Sequence, residues 1–276
     1  MQHECPALDE HWSAHARQLF ADLFLCGKSA LAVVEDLDMF ELMERILPEW
    51  RTVRSQPQRN VLHTFTVDRH LCEAAVNASL LADHVVRPDL LVVGALLHDI
   101  GKGYPGDHTV VGMKVIQQIG DRMGYPEDDT AVLVDLCRHH LLLSDVAVRR
   151  DLEDEGTIRS VAAAVDSTEF LHLLAALSEA DSIATGPSVW GSWKEGLLAD
   201  LVYRTDALLT GSPVGSSRSE FPSVDVLQLM SEGKRSIEAR SGRITVVAPN
   251  QPGVFAAYRR PHGDCQLCSS QTCGHQ

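Results

Sequence analysis

Residues 97–103 of this chain read Leu-His-Asp-Ile-Gly-Lys-Gly, at the end of an apolar run that begins at Leu90. The adjacent His98 and Asp99 offer one imidazole and one carboxylate to the same metal ion, and the two carboxylate oxygens can bridge two ions. The glycines allow the backbone a sharp turn after the pair. Lys102 follows one turn later, where an ammonium group can stabilise charge on a phosphoryl group. The heptapeptide therefore predicts a helix that ends at a metal site.

Further candidate ligands flank this pair on both sides. They are His70, His108, His139, His140 and Asp181. The whole set falls on different predicted helices, and an antiparallel helical bundle can bring such positions together in its core. Any one of these residues alone could equally be a cap, a surface residue or a satisfied core residue. The ordered series of His, His-Asp, His, His-His and Asp, with a lysine three residues after the first Asp, favours a metal centre.

The ligand types indicate which metals would bind. Imidazole and carboxylate without thiolate suit Mn²⁺, Fe²⁺, Co²⁺ or Zn²⁺, and suit Mg²⁺ less well. The set is too large for one ion, so we expect two divalent ions, with Mn, Fe or Mg as the leading candidates, that share Asp99 and activate a bridging water. One partition gives His70, His98 and Asp181 to one ion and the three remaining histidines to the other.

The first two hundred residues carry helical periodicity almost throughout, which predicts an all-α fold. Glu49–Val61 is charged and contains a proline, and is predicted to be an extended link. Asp107 is predicted to cap one helix, and Asp166 with Glu169 has the capping-box spacing of another. The predicted helices cover residues 12–26, 29–47, 66–86, 88–99, 108–123, 127–142, 157–165, 166–181 and 190–209.

The composition changes at residue 211. Residues 211–217 have the Gly, Ser and Pro content of a linker. Arg243–Ala248 reads as a β-strand followed by turn residues, and no periodicity follows Tyr258. We therefore predict a helical lead-in over residues 1–60, a metal-binding helical domain over 61–210, a linker over 211–240, an incomplete strand-containing segment over 241–258 and an aperiodic tail over 259–276.

The overall charge argues against two classes of partner. The 276 residues carry a formal net charge of −14, whereas broad nucleic-acid binding and attraction to anionic membranes both need a basic surface. The apolar run over residues 90–97 is too short to span a bilayer, and the polar N-terminus has no signal-peptide pattern. We therefore expect a cytoplasmic protein whose partners include neither nucleic acid nor membrane.

The ligand series resembles the HD superfamily of metal-dependent phosphohydrolases, whose fold is an all-helical bundle. The resemblance is closer still to the HD domain of the bifunctional PII uridylyltransferase/uridylyl-removing enzymes, and it covers about residues 12–210. The segments that carry it are Val67–His70, His98–Gly103, Gly106–His108, Arg138–Leu143 and Glu179–Pro187, with the lead-in segments Leu47–Trp50 and Gln58–Asn60.

The resemblance implies a function and a partner. It implies that the helical domain removes uridylyl or adenylyl groups from a tyrosine of the PII nitrogen-regulatory protein, with Asp99 and Lys102 as catalytic residues and Lys102 as the phosphate-side cation. The implied metal ligands are His70, His98, Asp99, His108, His139, His140 and Asp181. Residues 244–255 resemble the first strand and turn of an ACT domain without the elements that should follow. The family's nucleotidyltransferase domain is not found, so nucleotide transfer is not expected from this chain.

Two other functions remain open at this level. One is an HD phosphohydrolase of small nucleotides, such as cyclic dinucleotides or alarmones. Gly103–Pro105 reads Gly-Tyr-Pro and resembles the HD-GYP signature, although it stands directly after the His-Asp pair rather than later. The other is a PII-binding fragment without catalytic activity.

Overall fold

In the computed structural model, the apolar run before His98 forms a helix, Pro88–Leu97, in which every residue from Leu90 to Leu97 is buried. A helix that is apolar all round belongs in the centre of a bundle. The structure describes residues 11–58, 60–212, 228–229, 231, 233, 236–240 and 243–248. The chain divides into two compact units, Met1–Pro213 and Val214–Gln276.

The described part of the first unit is helical, which confirms the prediction of an all-α HD-type bundle. Two short 3-10 helices, Ala82–His84 and Ile100–Gly103, lie between the α-helices. The α-helices are α1 (Ala14–Leu25), α2 (Ser29–Met39), α3 (Met43–Ile46), α4 (Trp50–Val53), α5 (Val67–Ser79), α6 (Pro88–Leu97), α7 (His108–Met123), α8 (Glu127–His139), α9 (Leu142–Arg149), α10 (Glu155–Val165), α11 (Thr168–Thr185) and α12 (Ser192–Thr210).

The helices α5, α6 and α11, which carry or end at predicted ligands, form the centre of the bundle. α5 packs against both α6 and α11, while α7 packs against α8 and against the 3-10 turn Ile100–Gly103. α8 also contacts α6, so the ends of α6 and α8 meet the start of α7. This arrangement brings the C-terminal end of α6 to the middle of the ligand-bearing helices.

Helix ends explain where the predicted boundaries hold and where they do not. Asp107 caps α7 as predicted, because its carboxylate accepts hydrogen bonds from the backbone N–H groups of Thr109 and Val110. The predicted capping role of Asp166 is wrong. Asp166 instead ends α10 in a left-handed conformation with φ 59°, and Ser167 caps α11 by accepting a hydrogen bond from Phe170 N–H.

Three predicted helices are shorter than expected, and two helices, α4 and α9, were not predicted. The helix predicted over 29–47 breaks after α2, where Glu41 has φ 57°, and the helix predicted over 66–86 ends at Ser79. The link predicted over Glu49–Val61 contains the short helix α4. The helix predicted over 127–142 ends at His139, and a separate helix, α9, begins at Leu142.

The described part of the second unit contains a β-hairpin. Strand β1 (Ser236–Arg240) pairs antiparallel with β2 (Arg243–Val247), with Ser236 opposite Val247 and Arg240 opposite Arg243. The sequence predicted β2 but missed β1, which falls inside the predicted linker. The tail predicted over 259–276 lies outside the described residues, and the ACT-like nature of residues 241–258 stays a prediction.

No single helix among the described residues is both long and apolar enough to cross a membrane. The helices α10 and α11 reach the required length and composition only as a pair, and they meet at a bend of 99°.

Candidate metal centre

Two groups of potential metal ligands lie at the ends of the central helices. The first combines His70 from α5, His98 from the end of α6 and Asp181 from α11. The second combines the three residues Asp99, His108 and His140. Within each group the candidate ligand atoms all lie within 4.8 Å of one another. The chain therefore brings six of the seven predicted ligands together as two adjacent sets.

Asp99 stands between the two groups. Its Oδ2 lies 3.3 Å from His98 Nε2 and 3.8 Å from His70 Nε2 in the first group. Its Oδ1 lies 3.8 Å from the Nε2 atoms of both His108 and His140 in the second. Each carboxylate oxygen thus faces a different set of imidazoles, which is the geometry of a bridging carboxylate.

Asp181 completes the first group. Its Oδ1 lies 3.0 Å from His70 Nε2 and 3.5 Å from His98 Nε2. The Nε2 atoms of both histidines therefore converge on the same pair of carboxylates, Asp99 and Asp181.

Backbone carbonyl groups fix the orientation of two of the histidines. His98 Nδ1 lies 2.8 Å from the carbonyl oxygen of Ala95, and His140 Nδ1 lies 2.6 Å from that of Cys137. A neutral imidazole that donates from Nδ1 presents the lone pair of Nε2, and such second-shell bonds set the tautomer of metal-ligating histidines. In their neutral forms, both rings would therefore present Nε2 to the centre as the atom that binds a metal.

Several buried polar atoms at the centre make no well-formed hydrogen bond among the described residues, although the Nε2 atoms of His70 and His98 lie near carboxylate oxygens. They are both ring nitrogens of His70, Nε2 of His98 and Oδ1 of Asp99. An unsatisfied buried polar atom costs about 1–3 kcal/mol, so a cluster of them needs an explanation. Divalent cations would be ligated by three of these four atoms, and the imidazole and carboxylate donor set suits such ions. The residues present therefore fit a two-metal centre.

The charges at the centre are strongly coupled. Burial acts to lower the pKa of His98, but Asp99 and Asp181 outweigh it and raise this pKa to about 10. Burial acts to raise the pKa values of the two aspartates, yet the neighbouring histidines hold both pKa values well below the usual range, with help from Lys102 in the case of Asp99. Both carboxylates are therefore ionised and available to cations.

The lysine of the heptapeptide is held at the edge of the centre. Lys102 Nζ lies 2.5 Å from Asp99 Oδ2 and donates a hydrogen bond of 2.9 Å to Gln58 Oε1. An ammonium group has three N–H donors, so one remains for a further acceptor. The side chain is 24% exposed, which leaves this donor accessible from the cleft that the site opens into.

His139 is the predicted ligand that the structure does not bring to the centre. Its ring packs edge-on against Phe170, with 6.4 Å between the ring centroids, and it belongs to neither ligand group. The two adjacent histidines diverge in this structure, with His140 facing the centre and His139 facing Phe170. The structure groups Asp99, rather than His139, with His108 and His140.

A cleft of about 1030 Å³ opens above both ligand groups. Its walls include residues that the sequence did not single out, namely His63, Ser144, Asp145, Ser182 and Lys194. The ring centroid of His63 lies 5.3 Å from that of His70. Ser144 and Asp145 were missed because they lie on α9, which was not predicted. No helical spacing links His63 or Lys194 to the ligand series.

Residues 67–186 match the HD domain family. This chain therefore carries an HD domain, the class of helical metal-dependent hydrolase that its fold and ligand groups indicate. The chain is also 48% identical over 225 residues to the bifunctional uridylyltransferase/uridylyl-removing enzyme of Streptomyces coelicolor, a match that covers 82% of this chain and 27% of that protein.

Relatives with the same name occur in other bacteria. The enzyme of Mycobacterium tuberculosis is 41% identical over 255 residues, covering 91% of this chain and 32% of that protein. The enzyme of Corynebacterium glutamicum is 36% identical over 227 residues, covering 80% and 33%. The chain is thus homologous to these enzymes over most of its own length, while it spans only about a quarter to a third of theirs.

Proposed function

We propose that this chain is a metal-dependent phosphodiester hydrolase that removes a uridylyl or adenylyl group from a tyrosine of a PII signal protein. The observation that carries the proposal is the pair of ligand groups that share Asp99 at the base of an open cleft. The similarity to enzymes named for uridylyl removal supports the choice of substrate.

The side chains at the centre have distinct roles in this reaction. His70, His98 and Asp181 would hold one divalent ion, His108 and His140 would hold the other, and Asp99 would contact both. When bound, the ions supply Lewis-acid activation of the phosphoryl group and lower the pKa of a water molecule. The backbone carbonyls behind His98 and His140 would hold these two rings in the metal-binding orientation.

Lys102 and Gln58 provide donors for the phosphoryl oxygens. Lys102 retains one free N–H donor, and Gln58 Nε2 is buried without a partner among the described residues while its Oε1 is fixed by Lys102. Both residues line the cleft. The leaving tyrosyl oxygen has a pKa of about 10 in water, so its departure needs little help from a general acid.

The cleft is large enough for this substrate. Ligand sites commonly have volumes of about 300–1,000 Å³, and the cleft lies at the top of that range. Its rim includes the exposed apolar side chains of Leu62, Leu141 and Val148. A nucleotide would fill part of this volume and leave room for the protein segment that carries it.

Hydrolysis of bis(p-nitrophenyl) phosphate tests the chemistry, and nucleotidylated PII tests the substrate. We expect the purified chain, stripped of metal and reloaded with Mn²⁺, to hydrolyse the model diester, and we expect Asp99→Ala to abolish this activity. The reloaded chain should then release UMP or AMP from PII that carries the corresponding group. Release of neither from PII by a folded chain that hydrolyses the model diester would contradict the proposed substrate.

The small-nucleotide alternative also makes use of the same cleft. Tyr104 and Pro105 from the Gly-Tyr-Pro segment line it, and its volume also admits a free nucleotide. Cyclic dinucleotides and alarmones should therefore be assayed beside PII at equal concentrations. A kcat/KM higher on one of these nucleotides than on nucleotidylated PII would favour this alternative. Binding of PII by a chain that takes up no metal would instead favour a PII-binding fragment without catalytic activity.

A further inference from the structure

A second lysine faces the cleft beside the first ligand group. Lys194 lies in the first turn of α12, and its Nζ donates a hydrogen bond of 2.9 Å to Ser182 Oγ. Ser182 directly follows the ligand Asp181 on α11, and its hydroxyl donates to the carbonyl oxygen of Ser178. The hydroxyl proton is therefore already engaged, and Ser182 acts only as an acceptor for the lysine. This places the ammonium group next to the Asp181 side of the metal centre.

Lys194 forms no ion pair with any carboxylate of the described residues. Burial lowers the pKa of its ammonium group, and Asp181 and Asp145 counteract this only in part. A half-buried cation whose one hydrogen bond goes to a neutral hydroxyl keeps two of its three N–H donors unused. These two donors can be taken up by an anionic ligand in the cleft without breaking any ion pair among the described residues.

The other cations of the cleft are already paired. Lys102 lies 2.5 Å from Asp99 Oδ2, and Arg149 Nη2 lies 3.5 Å from Asp145 Oδ1 at a position where the arginine side chain is 74% exposed. Lys194 therefore differs from Lys102 and Arg149, because its hydrogen-bond partner within the described part of the chain is a neutral hydroxyl group.

Packing fixes the position of Lys194. The helix that carries it contacts α9, α10 and α11, and it buries Leu198 and Leu201 in the core. The ammonium nitrogen also lies 6.0 Å from the ring centroid of Trp190, within the range of a cation–π contact. The lysine is thus held at the cleft by its own helix and by an aromatic ring, rather than free on the surface.

We propose that Lys194 binds a non-bridging oxygen of the phosphodiester on the Asp181 side of the metal centre, while Lys102 serves the Asp99 side. This inference rests on the proposed phosphodiester hydrolysis, but it does not depend on PII as the substrate. The phosphate monoester that hydrolysis releases carries up to two negative charges near neutral pH. Lys194 should therefore contact the product phosphate as well as the substrate.

The test compares three variants with the same Mn²⁺-loaded protein. Lys194→Met removes the charge at similar length, Lys194→Arg keeps the charge, and Lys114→Met is a matched control because Lys114 is exposed on α7 and does not line the cleft. The measurements are kcat and KM on bis(p-nitrophenyl) phosphate, the dissociation constant of inorganic phosphate by calorimetry, and the metal content. The phosphate titration reports on the site even in a protein that turns over no substrate.

We expect Lys194→Met to lower kcat/KM by about 10- to 100-fold, mostly through KM, because a hydrogen bond to a charged group is lost. The dissociation constant of phosphate should rise by a similar factor, with the metal content unchanged. Lys194→Arg should remain within a few-fold of the parent protein, and Lys114→Met should equal it.

Three results would overturn the inference. They are unchanged phosphate binding in Lys194→Met, loss of metal from this variant, and a defect confined to nucleotidylated PII, which would assign the lysine to the protein partner. Failure of the parent protein on PII, combined with weaker phosphate binding by Lys194→Met, would instead refute the proposed substrate and leave the inference standing.

Discussion

Asp99 joins the two ligand groups into one site because each of its oxygens faces a different set of imidazoles. Oδ2 lies 3.3 Å from His98 Nε2, and Oδ1 lies 3.8 Å from His140 Nε2. A carboxylate in this position would hold two ions at a fixed spacing, which two-metal hydrolysis requires. Replacement of Asp99 should therefore affect both ions, whereas replacement of a histidine should affect one.

His139 and His140 form a matched pair for testing the assignment of the second ion. We expect His140→Ala to lower the metal content by one ion per chain and to lower kcat/KM on bis(p-nitrophenyl) phosphate by about 100-fold, or roughly 2.7 kcal/mol, because it removes a ligand of the Asp99 group. His139→Ala should keep both ions and nearly full activity, because its ring packs against Phe170. Elemental analysis and steady-state kinetics measure both effects. The reverse pattern would show that His139 is the ligand.

The identity of the ligands could be predicted from the sequence more readily than their exact positions. The ordered His and Asp series marks the centre because few other chemistries need these residue types on several helices. The choice between His139 and His140 depends on the rotational phase at the end of α8, which a pair of adjacent histidines does not reveal. Lys194 belongs to no recognisable spacing, and only the packing of α12 against α11 brings it to Ser182.

At the scale of elements, the turn after the His-Asp pair is shaped by close contact with α7. A Cβ atom added to Gly101 would lie 1.9 Å from the carbonyl oxygen of His108 and 2.6 Å from the backbone nitrogen of Gly112. Both of these neighbours are backbone atoms that cannot rotate away. The turn and the first residues of α7 therefore fit only when position 101 carries no side chain, and this contact positions His108 beside Asp99.

Gly101→Ala and Gly196→Ala test this contact as a pair. We expect Gly101→Ala to lower the free energy of unfolding by about 3 kcal/mol, because the backbone of the turn or of α7 must move. Gly196 lies inside α12 with nothing within 4 Å of an added Cβ, so Gly196→Ala should raise the stability by about 1 kcal/mol. Urea denaturation of the metal-free proteins measures both values. Equal stability of Gly101→Ala and the parent protein would contradict the close contact.

Residues that mark the ends of helices and strands decided which elements could be predicted from the sequence. α7 could be predicted from its cap Asp107 and from Gly124, which ends it with φ 68°. α9 follows α8 without a glycine or proline between them, so no signal in the sequence marked its start, and the predicted helix ended at residue 142. β1 and β2 are separated in the sequence by Ser-Gly at 241–242, a dipeptide that is typical of turns but does not by itself predict a strand before it.

At the scale of the whole molecule, the negative net charge of the chain repels an anionic substrate. The chain carries a net charge of −14, while Lys102 and Lys194 are lysines that face the cleft. Two lysines do not reverse a field of this size, whereas two divalent ions would supply the largest positive charges in the site. Substrate binding should therefore depend on metal loading more strongly than on any single side chain.

The charge interactions of His98 with Asp99 and Asp181 make both the stability of the fold and metal binding depend on pH. In the metal-free protein the pKa of His98 is about 10, against about 6.5 in an unfolded chain, so protonated His98 stabilises the fold below pH 6.5 and this contribution is lost as the pH rises towards 10. The lowered pKa values of Asp99 and Asp181 act at the acidic end, where stability is lost as the pH falls below about 4.

A metal ion needs the neutral imidazole of His98, so binding must displace its proton. Between pH 6.5 and 10 we therefore expect metal binding to release about one proton and the apparent affinity to rise up to about tenfold per pH unit. Calorimetric titration with Mn²⁺ at pH 8, in buffers of different ionisation enthalpy, measures the protons released. The increase in melting temperature on adding metal should also grow from pH 6.5 to pH 9, because the metal-free protein loses stability over that range. Binding at pH 8 without proton release would contradict this prediction, because it would show that His98 is already neutral at that pH.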